Sequence, residues 1–175
     1  ETLSVGIGQS FWTVTPLQLT QALTTLVNHG ERKVPHFLKA TTEVSIDKEN
    51  ATEQALITDY TVDEKPPIVL KDQQHWDMVL DGLHNTVQKV GATGHAAFKG
   101  SKYDVAGKTG SAQTANIAQD AKYDASKVKE SRRDNAMFIA FAPYENPEIV
   151  VAVAIENVAK GGGGANAAPV ARQIM

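Results

Sequence analysis

The sequence predicts an α+β fold, an antiparallel sheet with helices packed against it. Three observations carry that expectation. Two segments repeat apolar residues at helical spacing. Two others, AMFIAFA at 136–142 and IVVAVAI at 149–155, are apolar on both faces, as strands covered from two sides are. Between these runs lies PYENPE, a proline- and asparagine-containing turn that predicts an antiparallel hairpin.

Taken in order, the first element is the clearest. TVTPLQLTQALTTLVNHG supplies Thr15 as a cap, Pro16 at the first helical position and Gln18 to complete a capping box. Leu19, Ala22, Leu23 and Leu26 follow the spacing of one buried face, and Gly30 ends the helix. Residues 34–44 read as extended, with Pro35 placing them at an edge. Residues 45–71 are polar and contain prolines, so a surface excursion is expected. A second helix is predicted from about Asp72 to Val90, with Trp76, Val79, Leu80, Leu83 and Val87 as its apolar stripe. GATGHAAFKG reads as a glycine-punctuated connector, and YDVAGKTGSAQT as the first convincing strand. The charged stretch AKYDASKVKESRRD reads as a solvated surface loop, the sharper alternative being a lid beside a site. After the hairpin, GGGG reads as a flexible hinge and a last helix is expected to start near Pro169. There is no internal repeat.

Composition bounds the function. The 175 residues suffice for one domain with a core, and 42% hydrophobic with 21% charged residues is ordinary for a globular protein. A net charge of −3 argues against a broad nucleic-acid footprint. With no cysteine there is neither a disulfide frame nor thiolate chemistry, and the absence suits an oxidising compartment. No apolar run approaches the roughly 20 residues of a membrane helix, and no signal peptide is visible. The chain starts at Glu1 rather than a methionine and stops at Met175 inside an expected helix, which suggests a piece of a longer polypeptide. An anchor missing here therefore says nothing about the parent.

The stretch VAGKTGSAQT holds the chemistry. A lysine and a glycine inside a strand sacrifice burial and rigidity, so something should compensate. Strand alternation sends Lys108 to one face and Thr109 and Ser111 to the other. The two hydroxyls can donate to a carboxylate or carbonyl along the strand edge. Gly110 lets a substrate backbone approach closely. The Ser111 N–H can face an oxyanion, and Lys108 adds positive potential for an anionic group.

VAGKTGSAQ, followed by FIAFAPYENPEIVVAVAIEN, a glycine-rich turn and AAPVARQI, resembles the C-terminal part of class B penicillin-binding proteins. GIGQSFWTVTPLQL at the front is similar to the G-x-G-Q...TPLQL stretch of that family. The agreement in order and spacing covers nearly the whole chain, and RRDNAMFIAFAPYENPEIVVAVAIEN is most similar to the elongation type of Gram-negative bacteria. The resemblance implies a partial penicillin-binding/β-lactamase-like transpeptidase fold, with residues 1–175 as the C-terminal part of the domain. It implies a serine D,D-transpeptidase that cross-links peptidoglycan stem peptides and is acylated by β-lactams. By carry-over, Lys108 serves near the serine of the S-x-N motif. Thr109 and Ser111 hold the terminal carboxylate of a D-Ala-D-Ala donor or the carboxylate of a β-lactam, and the Ser111 N–H forms half of the oxyanion hole. No cofactor or metal is implied. Implied partners are the stem peptide, β-lactams, the upstream half of the same domain, a SEDS-family glycosyltransferase and elongation-complex proteins. The implied place is the periplasmic face of the bacterial inner membrane, with the anchor outside this chain. A non-catalytic penicillin-recognition or sensor domain and a division-specific transpeptidase are the alternatives.

In the family the nucleophile stands in an S-x-x-K motif that precedes the G-x-G-Q stretch, as does S-x-N. Here G-x-G-Q begins at Gly6, which leaves no room for either, and no S-x-N tripeptide occurs. Two S-x-x-K matches, Ser45 to Lys48 and Ser126 to Lys129, fall in polar segments and in the wrong order, and read as accidental. His29, His36, His75, His84 and His95 lack metal-ligand spacing on a shared face. Asp77 and Asp81 share a helix face that reads as solvated. Trp12 reads as core or interface packing near the first helix.

Overall fold

A computed structural model describes residues 13–47, 52–63, 65–114 and 123–175. Its first helix, α1, spans Pro16–Val27 and is capped as expected. The Gln18 N–H donates to the Thr15 hydroxyl at 3.2 Å, and the Thr15 N–H to the Gln18 side chain at 2.8 Å. Gly30, at φ +96°, ends it by donating to the Thr25 carbonyl at 2.8 Å. A Cβ there would lie 2.1 Å from the Ile68 carbonyl oxygen, so glycine is also required for the crossing of these two segments.

The stretch expected to be extended supplies the first half of β1, and the expected excursion supplies the rest of a hairpin. Strands β1 (Ala40–Asp47) and β2 (Thr52–Asp59) pair antiparallel with Val44 opposite Ala55. Val44, Leu56 and Ile57 are exposed, so cross-strand pairing rather than burial supports this arm. Without a buried face it carries only a weak apolar alternation, which is why its composition reads as a loop.

Helix α2, Gln74–Gln88, buries Trp76, Leu80, Leu83 and Val87, whereas Val79 is exposed. The connector after it holds a single-turn helix, α3, at His95–Phe98. Then comes a three-stranded antiparallel sheet, β3 (Ala106–Ala112), β4 (Asn135–Ala142) and β5 (Ile149–Ile155), in that spatial order. The expected hairpin is thus β4–β5, and β3 lies at an edge. Two 3₁₀ turns, 125–127 and 130–132, occupy the charged segment before β4. The last helix, α4, spans Gly163–Ile174, so Pro169 sits inside it rather than at its start.

The glycine run is not a hinge. Gly163 and Gly164 form the first turn of α4, which sits on the sheet. A Cβ on Gly163 would lie 2.0 Å from the Met137 carbonyl oxygen, and one on Gly164 2.1 Å from that of Thr93. Close packing, not freedom, selects glycine here. Arg172 fixes the other end of α4 by donating to the carbonyls of Ala97 at 2.8 Å and Lys99 at 3.1 Å.

Three layers result. On one face of the sheet Phe138, Ala140, Val151 and Val153 pack against α3 and α4 through Phe98 and Ala167. On the other, Ala106 and Phe141 pack against Leu23 of α1 and Leu80 and Leu83 of α2. Burying each of the larger of these side chains, the leucines, valines and phenylalanines, contributes about 1.5–3 kcal/mol. No helix among the described residues is long and apolar enough to cross a membrane.

Asp77 and Asp81 do more than solvate α2. Asp77 lies 3.0 Å from His29, and the Tyr144 hydroxyl donates to Asp81 at 2.5 Å. Tyr144 stacks on His84 with ring centroids 4.1 Å apart, and His84 reaches Asp104 at 2.9 Å. The two Tyr144 contacts clamp the β4–β5 turn to α2. The bond to Asp81, with burial second, pushes the Tyr144 phenol up to about 12 from its ordinary 10. The folded state therefore holds its proton more tightly than the unfolded chain does. The clamp contributes fully below pH 10 and is lost as pH rises to about 12. Wild type should melt above Tyr144→Phe at neutral pH, with the gap closing across that window. A constant gap would contradict this assignment.

Candidate active site

The K-T-G-S segment is built into β3 by what lies beneath it. Gln88 of α2 donates to the Val105 carbonyl at 3.1 Å, fixing where the strand begins. Gly107 lets β3 lie flush, since a Cβ there would meet the Ile139 carbonyl oxygen at 2.6 Å and the Phe138 ring at 2.7 Å. The register then sets Lys108 opposite Ile139, Thr109 opposite Phe138, Gly110 opposite Met137 and Ser111 opposite Ala136.

Alternation separates the four residues onto two faces. Lys108 lies on the α1/α2 side and borders a groove of about 590 Å³ with Leu19, Leu23, Leu83 and Ile139. Its Nζ donates to the Thr109 carbonyl at 2.8 Å. Thr109 and Ser111 lie toward the first turn of α4, their side chains 3.5 and 3.3 Å from the Cβ positions of Gly164 and Gly162. The Thr109 hydroxyl donates to the Thr93 hydroxyl at 2.9 Å. Thr93, Thr109, Gly110, Ser111 and the first turn of α4 enclose a second groove of about 520 Å³.

β3 pairs only with β4 among the described residues, so among them its other edge carries no strand. Such an edge offers N–H and C=O groups to an extended ligand strand. Gly110 faces the Lys108 side, where an added Cβ would meet only Met137 Cβ at an ordinary 3.5 Å. Nothing in the described chain requires glycine at that position.

The charged segment after β3 lies at the Ser111 end of the strand. Tyr123, Asp124 and Ser126 wall a hollow of about 590 Å³ together with Ser111, Asp134 and Lys160. The Ser126 hydroxyl and N–H donate to Asp124 at 2.6 and 3.0 Å, holding that carboxyl below its usual range. Ser126 is thus tied into a 3₁₀ turn. Ser45 is exposed on β1, and Lys48, Trp12 and the G-x-G-Q stretch lie outside the described residues. The histidines stay dispersed: His95 Nδ1 contacts the Val87 carbonyl at 3.1 Å, far from the His29–Asp77 and His84–Asp104 pairs in role and partner.

A family model described as the penicillin binding protein transpeptidase domain matches residues 1–175. The chain belongs to the penicillin-binding-protein transpeptidase family. Within that family it is 39% identical over 180 residues to the peptidoglycan D,D-transpeptidase MrdA of Haemophilus influenzae, covering 100% of this chain and 25% of the relative. Escherichia coli MrdA is 34% identical over 175 residues, again across 100% of this chain and 26% of the relative. A crystal structure of Pseudomonas aeruginosa PBP2 in complex with WCK 5153 superposes at a TM-score of 0.74 with 34% identity, covering 99% of this chain and 32% of that one. The chain therefore spans about a quarter of the length of the curated transpeptidases it matches.

Two residues of the site are invisible to motif reasoning. Thr93 sits in a connector with no periodicity, and only its spatial meeting with Thr109 singles it out. Gly107 precedes the lysine and shows its constraint only once β4 is in place.

Proposed function

We propose that this chain is the C-terminal part of the transpeptidase domain of an elongation-type peptidoglycan D,D-transpeptidase. The observation that carries the reading is the K-T-G-S segment on a sheet edge, with Lys108 on one face and hydroxyls on the other. The donor stem peptide, ending in D-Ala-D-Ala, lies along that edge, and a β-lactam takes its place. The nucleophile comes from the upstream part of the domain, which covers the apolar groove beside Lys108 and brings a serine and its base to this face. Lys108 supplies positive potential beside the reacting hydroxyls. Thr109 and Ser111 take the terminal carboxylate. The Ser111 N–H shares the oxyanion with the N–H of the nucleophile, where charge develops as the carbonyl becomes tetrahedral. The serine displaces the terminal D-Ala to give an acyl-enzyme, and an amine of a second stem peptide then displaces the serine. A location outside the cytoplasm, with a SEDS-family glycosyltransferase and other elongation-complex proteins as partners, follows from the same resemblance.

The test is a fluorescent-penicillin gel on this chain alone, on the upstream part alone, and on the mixture. Label on the upstream part only in the mixture is the expected result. Label on this chain alone would make Ser45 or Ser126 a nucleophile and overturn the proposed division of the site.

A further inference from the structure

The turn between α2 and α3 brings Thr93 to the substrate edge. Its backbone is held on several sides. The Gly94 N–H donates to the Thr86 carbonyl at 3.1 Å, His95 Nδ1 contacts the Val87 carbonyl at 3.1 Å, and α4 packs so closely that only glycine fits at 164. The Thr93 side chain is nevertheless exposed and borders the same groove as Thr109 and Ser111. The first turn of α4 forms the opposite wall, and the N–H groups of a helix's first turn place partial positive charge there.

The two hydroxyls, 2.9 Å apart, share one hydrogen bond, donated by Thr109. A threonine hydroxyl carries one proton and two lone pairs. While Thr109 donates to Thr93 it turns only lone pairs toward the groove, and a carboxylate there would meet repulsion. Rotating both O–H bonds, with no heavy atom moving, reverses the order. Thr93 then donates to Thr109, and Thr109 donates to the carboxylate. The first bond polarises the second and strengthens it.

We infer that Thr93 is a positioning residue for the terminal carboxylate of the donor, acting through the Thr109 hydroxyl. The inference rests on the transpeptidase reading above. It assigns Thr93 no part in the transfer of the acyl group itself.

The experiment compares a penicillin bearing a free carboxylate with its methyl ester, as acylating agents of the complete polypeptide that contains this chain. Thr93→Val should slow acylation by the free acid about 3- to 10-fold, the range for one hydrogen bond between neutral groups, since Thr93 reaches the carboxylate only through Thr109. Acylation by the ester should change less than about twofold, and Thr93→Ser should restore the free-acid rate. Thr93→Val combined with Thr109→Val should be no slower than Thr109→Val alone, because the two act as one unit. Equal losses with both probes would show a purely structural role for Thr93 and overturn the inference, as would an unchanged free-acid rate. A wild-type polypeptide that neither probe labels would sink the transpeptidase reading, and this inference with it.

Discussion

Lys108→Ala is expected to slow β-lactam acylation of the complete polypeptide about 100-fold or more, the scale of removing one electrostatic contact to a developing charge. Its melting temperature should stay within a few degrees, as surface substitutions usually change stability by less than about 0.5 kcal/mol. Both halves follow from the position of the side chain. The ammonium is exposed and its bond is to the carbonyl of the next residue, so the fold does not depend on it. It nevertheless stands at the rim of an apolar groove, where a covering segment would exclude water and strengthen any interaction with an anion. Lys108→Arg should recover only part of the rate, since a planar fork replaces a compact point charge. Normal labelling of Lys108→Ala would remove this residue from the mechanism. A matching drop in melting temperature would make its role structural instead.

Local signals and tertiary signals divide cleanly along this chain. The capping box at Thr15, the stripe of α2 and the doubly apolar β4–β5 hairpin are each written within one segment, so their places follow from spacing alone. The glycine run misleads because its reason is nonlocal: Gly163 is set by the backbone of β4, some way back in the chain. The start of β1 reads as extended, but β2 escapes notice because its apolar residues Leu56 and Ile57 stay exposed, leaving composition to speak for it. Asp77 and Asp81 are exposed, as their own helix predicts, and only the arrival of His29 and Tyr144 gives them partners. The site shows the same division. Lys108, Thr109, Gly110 and Ser111 form a contiguous motif on one strand, whereas Thr93 enters it from a different turn.

The two glycines flanking Lys108 and Thr109 should respond oppositely to the same added methyl group. At Gly107 a Cβ would press into the Ile139 carbonyl oxygen at 2.6 Å, and backbone cannot yield as a flexible side chain can. Gly107→Ala should therefore cost about 3 kcal/mol of stability, a large share of the roughly 5–15 kcal/mol typical of a domain. At Gly110 a Cβ would find only Met137 Cβ, at 3.5 Å, and the backbone there is not left-handed. Gly110→Ala should melt at or slightly above wild type, because alanine restricts the unfolded chain. Acylation is where it should fail, by about 10- to 100-fold, since the new methyl group would stand where an approaching ligand must fit. Thermal melting and labelling rates on both variants separate the two cases. If Gly110→Ala acylates normally, the open space beside residue 110 is not the path of the substrate, and the glycine of the motif serves neither packing nor approach.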